Sequence, residues 1–176
     1  TDATSDVDII ITMLPAGNDV RDVYLGTSGI LESTNSKPLL IDCSTIDVET
    51  ARHVSNEAEK VDLLMLDAPV SGGVMGAEAA TLTFMVGGPE KAFKMAKPIL
   101  DLMGKNIIHA GGTGNGQVAK VCNNMILGIS MIGVSEAFVL AEKLGLDHQK
   151  LFDISSTSSG QCWSITSYCP VPGPVP

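Results

Sequence analysis

The fold is decided by residues 111–124, which read GGTGNGQVAKVCNN. Four of the first six residues are glycine, and because glycine loses the most backbone freedom on ordering, this part predicts a loop. From Gln117 onward, apolar residues recur at helical spacing as far as Gly145. The stretch therefore predicts a flexible loop that opens directly into one long helix over residues 116–145.

Lys120 lies on this predicted helix, three and four residues before Asn123 and Asn124, so the ammonium and both carboxamides share one side of it. A lysine and an amide at this spacing are usually just a solvated helix face, since charged residues are mostly exposed. The apolar neighbours and the preceding glycine loop favour chemistry instead. A desolvated lysine has a pKa closer to neutrality and can exchange a proton with a substrate.

A dinucleotide-binding fingerprint is also matched here, by Gly114, Gly116 and Ala119 after the strand-like residues 106–110. Such a fingerprint carries weight only inside a strand–helix–strand unit. No strand pattern follows the long helix, so we do not interpret this glycine loop as the phosphate-binding loop.

Composition narrows the class of partner. The 176 residues are 44% hydrophobic and carry a formal net charge of −9, which argues against nucleic acid and against a polybasic membrane contact. No apolar run approaches the roughly 18 residues of a membrane span. The start at Thr1 shows no secretory signal pattern. We therefore expect neither a nucleic-acid partner nor a membrane partner.

The four cysteines, Cys43, Cys122, Cys162 and Cys169, form no Cys-x-x-Cys pair and have no histidine at a ligand spacing. We expect reduced thiols and no metal site. Reduced thiols indicate a reducing compartment.

Residues 1–110 alternate strand and helix patterns, which predicts an α/β fold with a mainly parallel sheet. The strands are predicted at residues 7–14, 38–43, 62–69, 81–86 and 106–109. The helices are predicted at residues 18–25, capped by Asn18 or Asp19, then up to residue 60 after a cap at Thr45 or Asp47, and at 89–103. Residues 111–176 are predicted to be helical, with a second helix at 147–156 and an extended proline-rich tail at 170–176.

Ligands of open α/β sheets bind outside the carboxyl ends of the strands, and three predicted loops fall there. They are Met13-Leu14-Pro15, Asp42 to Thr45, and Asp67 to Gly73. The first commonly just ends a strand, and Ser-Thr commonly just caps a helix. Ser71-Gly72-Gly73 is either a plain turn or a small nest of backbone N–H groups that suits a carboxylate. With Lys120, these loops describe a site for a small hydroxy acid.

Four motifs together resemble the β-hydroxyacid dehydrogenase family. They read DAPVSGGVMGA at 67–77, LTFMVGG at 82–88, GNGQVAKVCNN at 114–124 and IDCSTI at 41–46. Two further motifs, SGQCW at 159–163 and YCPVPG at 168–173, favour members that act on 3-hydroxyisobutyrate over members that act on tartronate semialdehyde.

The resemblance implies NAD-dependent oxidation of 3-hydroxyisobutyrate to methylmalonate semialdehyde, a step of valine breakdown, by a homo-oligomer. It implies that Lys120 is catalytic and exchanges a proton with the substrate hydroxyl. The implied substrate-binding residues are Ser71, Gly72, Gly73, Asn123 and Asn124. The implied cofactor-binding residues are Met13, Leu14, Pro15, Thr45 and one residue near Asn18 or Asp19, taken as Asp19.

The family also opens with a glycine-rich strand–turn–helix and continues past the proline-rich tail, and neither part is found here. The implied fold is therefore a Rossmann-like parallel sheet over residues 1–110 without its first βαβ unit, then an interdomain helix and a truncated all-α domain over 111–176. We expect the chain by itself to be an incomplete enzyme without tight NAD binding. Two alternatives stay open: a related reductase of tartronate semialdehyde, glyoxylate or succinic semialdehyde, and an inactive scaffold that oligomerises through residues 118–140.

Overall fold

The computed structural model describes residues 2–34 and 36–174. The described residues form two compact units, divided between Val121 and Cys122. The first unit contains all the strands of the described chain, and the second is helical. The long helix predicted from the glycine loop is present as α6 (Asn115–Lys143), which begins in the first unit and ends in the second.

The first unit is an α/β structure built on a six-stranded sheet. Its strands are β1 (Ile9–Thr12), β2 (Leu39–Asp42), β3 (Met65–Asp67), β4 (Val70–Ser71), β5 (Leu82–Gly87) and β6 (Gly104–Gly111). The order is β1-β2-β3-β5-β4, with β6 beside β5. The pairs β1–β2, β2–β3 and β5–β6 are parallel, whereas β5 runs antiparallel to β3 and β4. The predicted α/β class with a mostly parallel sheet is confirmed.

Strand β1 is shorter and less buried than the run at residues 7–14 predicted. It has four residues, pairs within the described chain with β2 alone, and leaves Ile11 44% exposed. A strand with one neighbour is covered less completely than β2, all four of whose residues are buried.

After a short 3-10 helix (Asp2–Thr4), five α-helices of the described chain belong wholly to the first unit: α1 (Gly17–Leu25), α2 (Ile30–Ser33), α3 (Val48–Lys60), α4 (Gly73–Glu78) and α5 (Glu90–Leu100). The prediction that Asn18 or Asp19 caps α1 is wrong, because the cap position is Ala16 and has no side-chain hydrogen bond. For α3, the Asp47 alternative is correct, since the Thr50 N–H donates to Asp47 Oδ1 at 2.7 Å.

Ser71-Gly72-Gly73 is not the simple loop that the sequence predicted. Ser71 ends β4 and Gly73 begins α4. These elements have two and six residues, which is too short for the spacing of apolar residues to indicate a strand or a helix. Gly72 and Gly73 have φ values of +133° and +61°, which glycine adopts without strain. Strand β6 is also longer than predicted, because its pairing with β5 continues through an irregularity to Gly111.

Two aliphatic cores cover the two faces of the sheet, and β2 shows how the sequence divides between them. Leu39 and Ile41 pack in the core that contains buried residues of α5, whereas Leu40 packs in the core that contains buried residues of α1 and α3. This alternation follows from the period of two along a strand.

The second unit consists of the rest of α6 with α7 (His148–Ser155) and α8 (Trp163–Thr166). Its small core joins Val134 and Phe138 of α6 to Ile165 of α8, a helix that the sequence did not predict. Residues 170–174 of the proline-rich tail form bends instead of the predicted extended segment, and residues 175–176 lie outside the described residues.

Helix α6 presents a broad apolar surface. Met125, Ile126, Ile129 and Ile132 are each at least 60% exposed. By length and composition alone α6 is able to cross a membrane, and only 17% of its most apolar window is buried. The expectation that no run approaches such a length is therefore wrong for α6, because it counted uninterrupted apolar residues, whereas the apolar character of α6 continues past polar positions such as Asn124 and Glu136.

Candidate functional site

The predicted cofactor residues lie mainly in loops at the carboxyl ends of two adjacent parallel strands. Met13, Leu14 and Pro15 follow β1, and Thr45 follows β2 by three residues. Met13 is 66% exposed, Pro15 and Thr45 are exposed, and Leu14 is half-buried. Asp19 is exposed in the first turn of α1, the helix that follows the first of these loops.

Ser44 joins these two loops. Its hydroxyl accepts a hydrogen bond from the Leu14 N–H at 2.8 Å and donates one to Asp42 Oδ1 at 2.6 Å. Ser44 and Asp42 are both buried, so the bonds form away from water, where polar groups need partners. Ser44 therefore holds the loop that carries Leu14 to the loop that carries Thr45.

The same Asp42 oxygen anchors the end of β1. Thr12 Oγ1 donates to Asp42 Oδ1 at 2.9 Å and lies 2.8 Å from the hydroxyl of Tyr24 on α1. Because Thr12 uses its proton on Asp42, the Tyr24 hydroxyl is the donor between them. Burial raises the pKa of Tyr24, so this phenol stays protonated. The hydrogen bonds therefore run in one direction, from Tyr24 to Thr12 and from Thr12 to Asp42.

Gln117 connects the loop after β2 to the start of α6. Its Nε2 donates to the Ser44 carbonyl at 2.7 Å, and its Oε1 accepts from the Ile46 N–H at 3.1 Å. The two bonded residues lie on either side of Thr45. Both polar atoms of the Gln117 side chain are therefore bonded to the backbone that presents Thr45, and the residue is only 1% exposed.

Asp67, the last residue of β3, holds the first turn of α6. Its Oδ1 accepts from the Gly114 N–H at 2.7 Å and its Oδ2 accepts from the Gln117 N–H at 3.0 Å. Burial raises the pKa of Asp67, and these backbone bonds offset part of that rise. The carboxylate supplies the acceptors that the free N–H groups of a helix start require.

Two glycines allow this close approach of helix and sheet. A Cβ on Gly116 would meet the carbonyl oxygens of Met85 and Asp67, and a Cβ on Gly87 would lie 2.6 Å from the Gly116 nitrogen. These neighbours are backbone atoms, which cannot rotate away. The fingerprint-like glycine at position 116 therefore allows the helix start to pack closely against the sheet.

Lys120 lies one turn beyond Gln117 on α6 and is half-buried. Partial burial lowers the pKa of its ammonium below the usual value of 10.5. Within residues 2–34 and 36–174, it forms no ion pair that would raise the pKa again. Asn123 and Asn124 follow on the same helix, with Asn123 Nδ2 at 3.5 Å from Asn124 Oδ1.

Ser71 ends β4, which pairs with β5, and Gly72 and Gly73 follow it at the start of α4. Ser71 is half-buried and pairs with Thr83, and the two glycines are exposed. In the described part of the chain, no hydrogen bond connects these three residues to Lys120. Their predicted role as the carboxylate site stays a prediction.

No group of three or more His, Cys, Asp or Glu side chains is placed to hold a metal ion among the described residues. Cys43 is adjacent to the buried polar residues but is itself buried, and burial together with the nearby Asp42 raises its pKa to about 12. A thiol that stays protonated is a poor nucleophile.

Sequence reasoning missed the supporting residues Asp42, Ser44, Asp67 and Gln117, although all four lie inside the motifs that carried the resemblance. The positions of Asp42 and Asp67 could have indicated their roles, because an acidic residue at the end of a buried strand needs a hydrogen-bond partner. Gln117 was marked as a polar position at the start of an otherwise apolar helical pattern.

Two family models match the chain. Residues 1–112 match the NAD binding domain of 6-phosphogluconate dehydrogenase, and residues 114–172 match the NAD-binding domain of NADP-dependent 3-hydroxyisobutyrate dehydrogenase. Together they describe a nicotinamide-dinucleotide enzyme and leave open the choice between NAD and NADP.

The curated relatives that match the chain include 3-hydroxyisobutyrate dehydrogenases, in agreement with the second family model. A probable mitochondrial 3-hydroxyisobutyrate dehydrogenase of Dictyostelium discoideum is 54% identical over 174 residues, which cover 99% of this chain and 54% of the relative. The 3-hydroxyisobutyrate dehydrogenase of Pseudomonas aeruginosa is 54% identical over 169 residues, covering 96% of this chain and 57% of the relative. The chain thus spans about half the length of the curated relatives that it matches.

A solved structure is also similar, that of the Mycobacterium tuberculosis 3-hydroxyisobutyrate dehydrogenase with L-serine. It matches with a TM-score of 0.94 at 52% identity, over 99% of this chain and 59% of that one.

Proposed function

The chain belongs to the family of 6-phosphogluconate dehydrogenase-type NAD-binding domains, and from this premise we propose that it is part of an NAD-dependent 3-hydroxyisobutyrate dehydrogenase. The reaction is oxidation of 3-hydroxyisobutyrate to methylmalonate semialdehyde, a step of valine breakdown. The observation that carries the proposal is Lys120, a partly desolvated lysine on a helix whose start is tied to the carboxyl ends of β2 and β3.

The substrate class is supported by the molecule that accompanies the solved relative. L-serine is a 3-hydroxy acid with an amino group where 3-hydroxyisobutyrate has a methyl group, so the two share the carboxylate and the primary alcohol. A site that accepts either compound needs a partner for the acid end and a proton acceptor at the alcohol.

Lys120 is proposed to accept the hydroxyl proton. An amine takes up a proton only in its neutral form, and partial burial shifts Lys120 toward that form by lowering its pKa. As the O–H bond breaks, its electron pair forms the carbonyl, the carbinol C–H leaves as hydride, and the proton stays on Lys120 Nζ. In the reverse direction the same ammonium returns the proton to the alkoxide.

Ser71, Gly72 and Gly73 are proposed to bind the substrate carboxylate. Ser71 offers a hydroxyl donor, and successive glycines with positive φ orient backbone N–H groups in a way that side-chain-bearing residues resist. Asn123 and Asn124 are the proposed orienting residues for the rest of the substrate.

The residues after β1 and β2 fit a nicotinamide dinucleotide. Met13 and Pro15 give an exposed apolar surface and Thr45 an exposed hydroxyl, at the strand ends where such cofactors bind in this fold class. When bound, the cofactor accepts the hydride. We assign NAD over NADP, Asp19 as a further contact near α1, and a compartment that is either the bacterial cytoplasm or the mitochondrial matrix.

The test uses the whole protein that carries this chain. Lys120→Ala is expected to lower turnover of 3-hydroxyisobutyrate by at least about 100-fold, the scale of general acid–base catalysis. Lys143→Ala, at the other end of the same helix, is the matched control. Turnover unchanged by Lys120→Ala would overturn the catalytic assignment. If the protein turns over tartronate semialdehyde, glyoxylate or succinic semialdehyde but not 3-hydroxyisobutyrate, the proposed substrate is wrong and the related reductase is the better assignment.

Oligomerisation is the second role that a specific observation favours. The exposed apolar residues of α6 are numerous enough to form a contact surface, and we propose that the protein is a dimer or tetramer. Should Lys120→Ala keep both turnover and assembly unchanged, the scaffold alternative would be the better account of this helix.

A further inference from the structure

Gln117 has an unusual set of partners for a buried amide. It is 1% exposed, and its donor and acceptor bond to Ser44 and Ile46, the two residues that flank Thr45. Its own N–H is held by Asp67 at the end of β3. One residue therefore ties α6 to two neighbouring strand ends.

The connection extends to both proposed cofactor loops. Ser44 bonds through its carbonyl to Gln117 and through its hydroxyl to the Leu14 N–H. A path of buried and partly buried hydrogen bonds thus runs from the loop after β1, through the loop after β2, to the helix that carries Lys120. Leaving any polar group along this path unpaired would cost its full desolvation free energy. The hydrogen bonds along the path therefore strongly favour one arrangement of the two loops and the helix.

Lys120 is one helical turn from Gln117, and small movements of α6 are amplified along its side chain. At about 6 Å from the helix axis, a rotation of about 10° displaces an atom by about 1 Å. Misplacement of a catalytic group by about 1 Å costs on the order of 100-fold in rate. The angular position of α6 therefore sets how well the Lys120 ammonium is placed for proton transfer.

We infer that Gln117 is a positioning residue that fixes Lys120 relative to the Thr45 loop, an inference that rests on the proposed function. Gln117 touches neither substrate nor reacting atoms. It acts by holding the backbone on both sides of Thr45 and the first turn of α6 as one rigid assembly. Its substitution is expected to lower turnover in molecules that are still folded.

Two variants in the whole protein test this role. Gln117→Met keeps the length of the side chain but removes both hydrogen bonds, and Gln117→Glu keeps the acceptor for the Ile46 N–H while losing the donor to the Ser44 carbonyl. The matched control is Gln149→Met, the same change at an exposed helical glutamine. Turnover and KM for both substrates are measured well below each variant's unfolding temperature, per folded molecule.

Both Gln117 variants are expected to lose at least about tenfold in kcat, with a smaller change in KM for the hydroxy acid, and the control is expected to stay within about twofold. The decisive readout is non-additivity. In a Lys120→Ala background, Gln117→Met is expected to lower the residual rate by less than about twofold, because the group that it positions is already gone.

The outcomes separate this inference from the proposed function. If Lys120→Ala lowers turnover but both Gln117 variants keep it, the positioning role is overturned and the proposed function stands. If Lys120→Ala changes nothing, the proposed function itself fails. Full additivity in the double variant, or a loss that only follows the fraction of unfolded protein, would also overturn the inference and leave Gln117 a residue of the fold.

Discussion

The carboxylate of Asp67 accepts the backbone N–H of Gln117 at 3.0 Å, although the two residues are 50 positions apart in the chain. The same carboxylate accepts the Gly114 N–H at 2.7 Å. A side chain at the end of β3 thereby performs the capping that is usually done by a residue next to the helix. The start of α6 is consequently fixed to the sheet as well as to its own loop, where the Asn115 N–H donates to the Gly112 carbonyl at 3.0 Å.

Asp67→Asn is expected to lower the free energy of unfolding by about 2 kcal/mol, because an amide group replaces one acceptor oxygen and faces a backbone donor. Urea denaturation measures the change. Asp62→Asn is the control, since the Asp62 side chain is 84% exposed and its ion-pair partner among the described residues is the exposed Lys37; it should change stability by less than about 0.5 kcal/mol. Equal effects at both positions would mean that the Asp67 bonds contribute little.

Gly116→Ala is expected to destabilise by about 2 kcal/mol or more, because the new methyl group meets backbone oxygens of Met85 and Asp67. Helix α6 supplies its own control. A Cβ on Gly128 has no heavy atom within 4 Å, so Gly128→Ala should stabilise the chain by roughly 0.5–1 kcal/mol through its higher helix propensity. Opposite signs for the two glycines, read from urea midpoints, are the result expected; equal signs would contradict the close packing at Gly116.

The sequence was sufficient for elements whose periodicity is strong. The helix from Gln117 onward, the strand at Leu39 to Asp42 and the cap at Asp47 are all present, since each depends on local pattern or local capping. The three loops after the strands were also identified correctly as strand ends. Parallel neighbours bring such ends to one edge, so a local pattern was enough to indicate where the polar residues gather.

Other features have no local signature. The period of β5 is the same whether its neighbours run parallel or antiparallel, so the reversed pairing with β3 was not visible. The bonds from Gln117 to Ser44 and from Gln117 to Asp67 join segments 73 and 50 residues apart. Their partners depend on the assembled sheet, which no window of sequence contains.

Cys43 and Cys122 are expected to differ sharply in reactivity. Cys43 is 5% exposed and its pKa is raised to about 12, so a thiol reagent should reach it only when the chain unfolds. Cys122 is exposed on α6 and should react in the native state. Mass spectrometry after brief labelling measures both sites.

Cys122 also tests the proposed oligomer. If apolar residues of α6 contact a second copy, the labelling rate of Cys122 should fall as protein concentration rises, while Cys43 stays unlabelled throughout. A Cys122 rate independent of concentration, over the range in which sedimentation detects association, would exclude this part of α6 from the contact.

Lys120→Met is expected to make the chain more stable at pH 7, although it removes the proposed catalytic group. Burial lowers the pKa of Lys120 below 10.5, so the native state disfavours the charged ammonium and binds this proton less tightly than the unfolded chain. Stability of the parent should therefore rise with pH between the lowered pKa and 10.5, and the advantage of the methionine variant should shrink over that interval. Urea midpoints of both proteins at pH 7 and pH 10 measure this difference. A methionine variant that is less stable at pH 7, or whose advantage grows with pH, would mean that the ammonium has a favourable native partner and is not the desolvated amine that proton transfer requires.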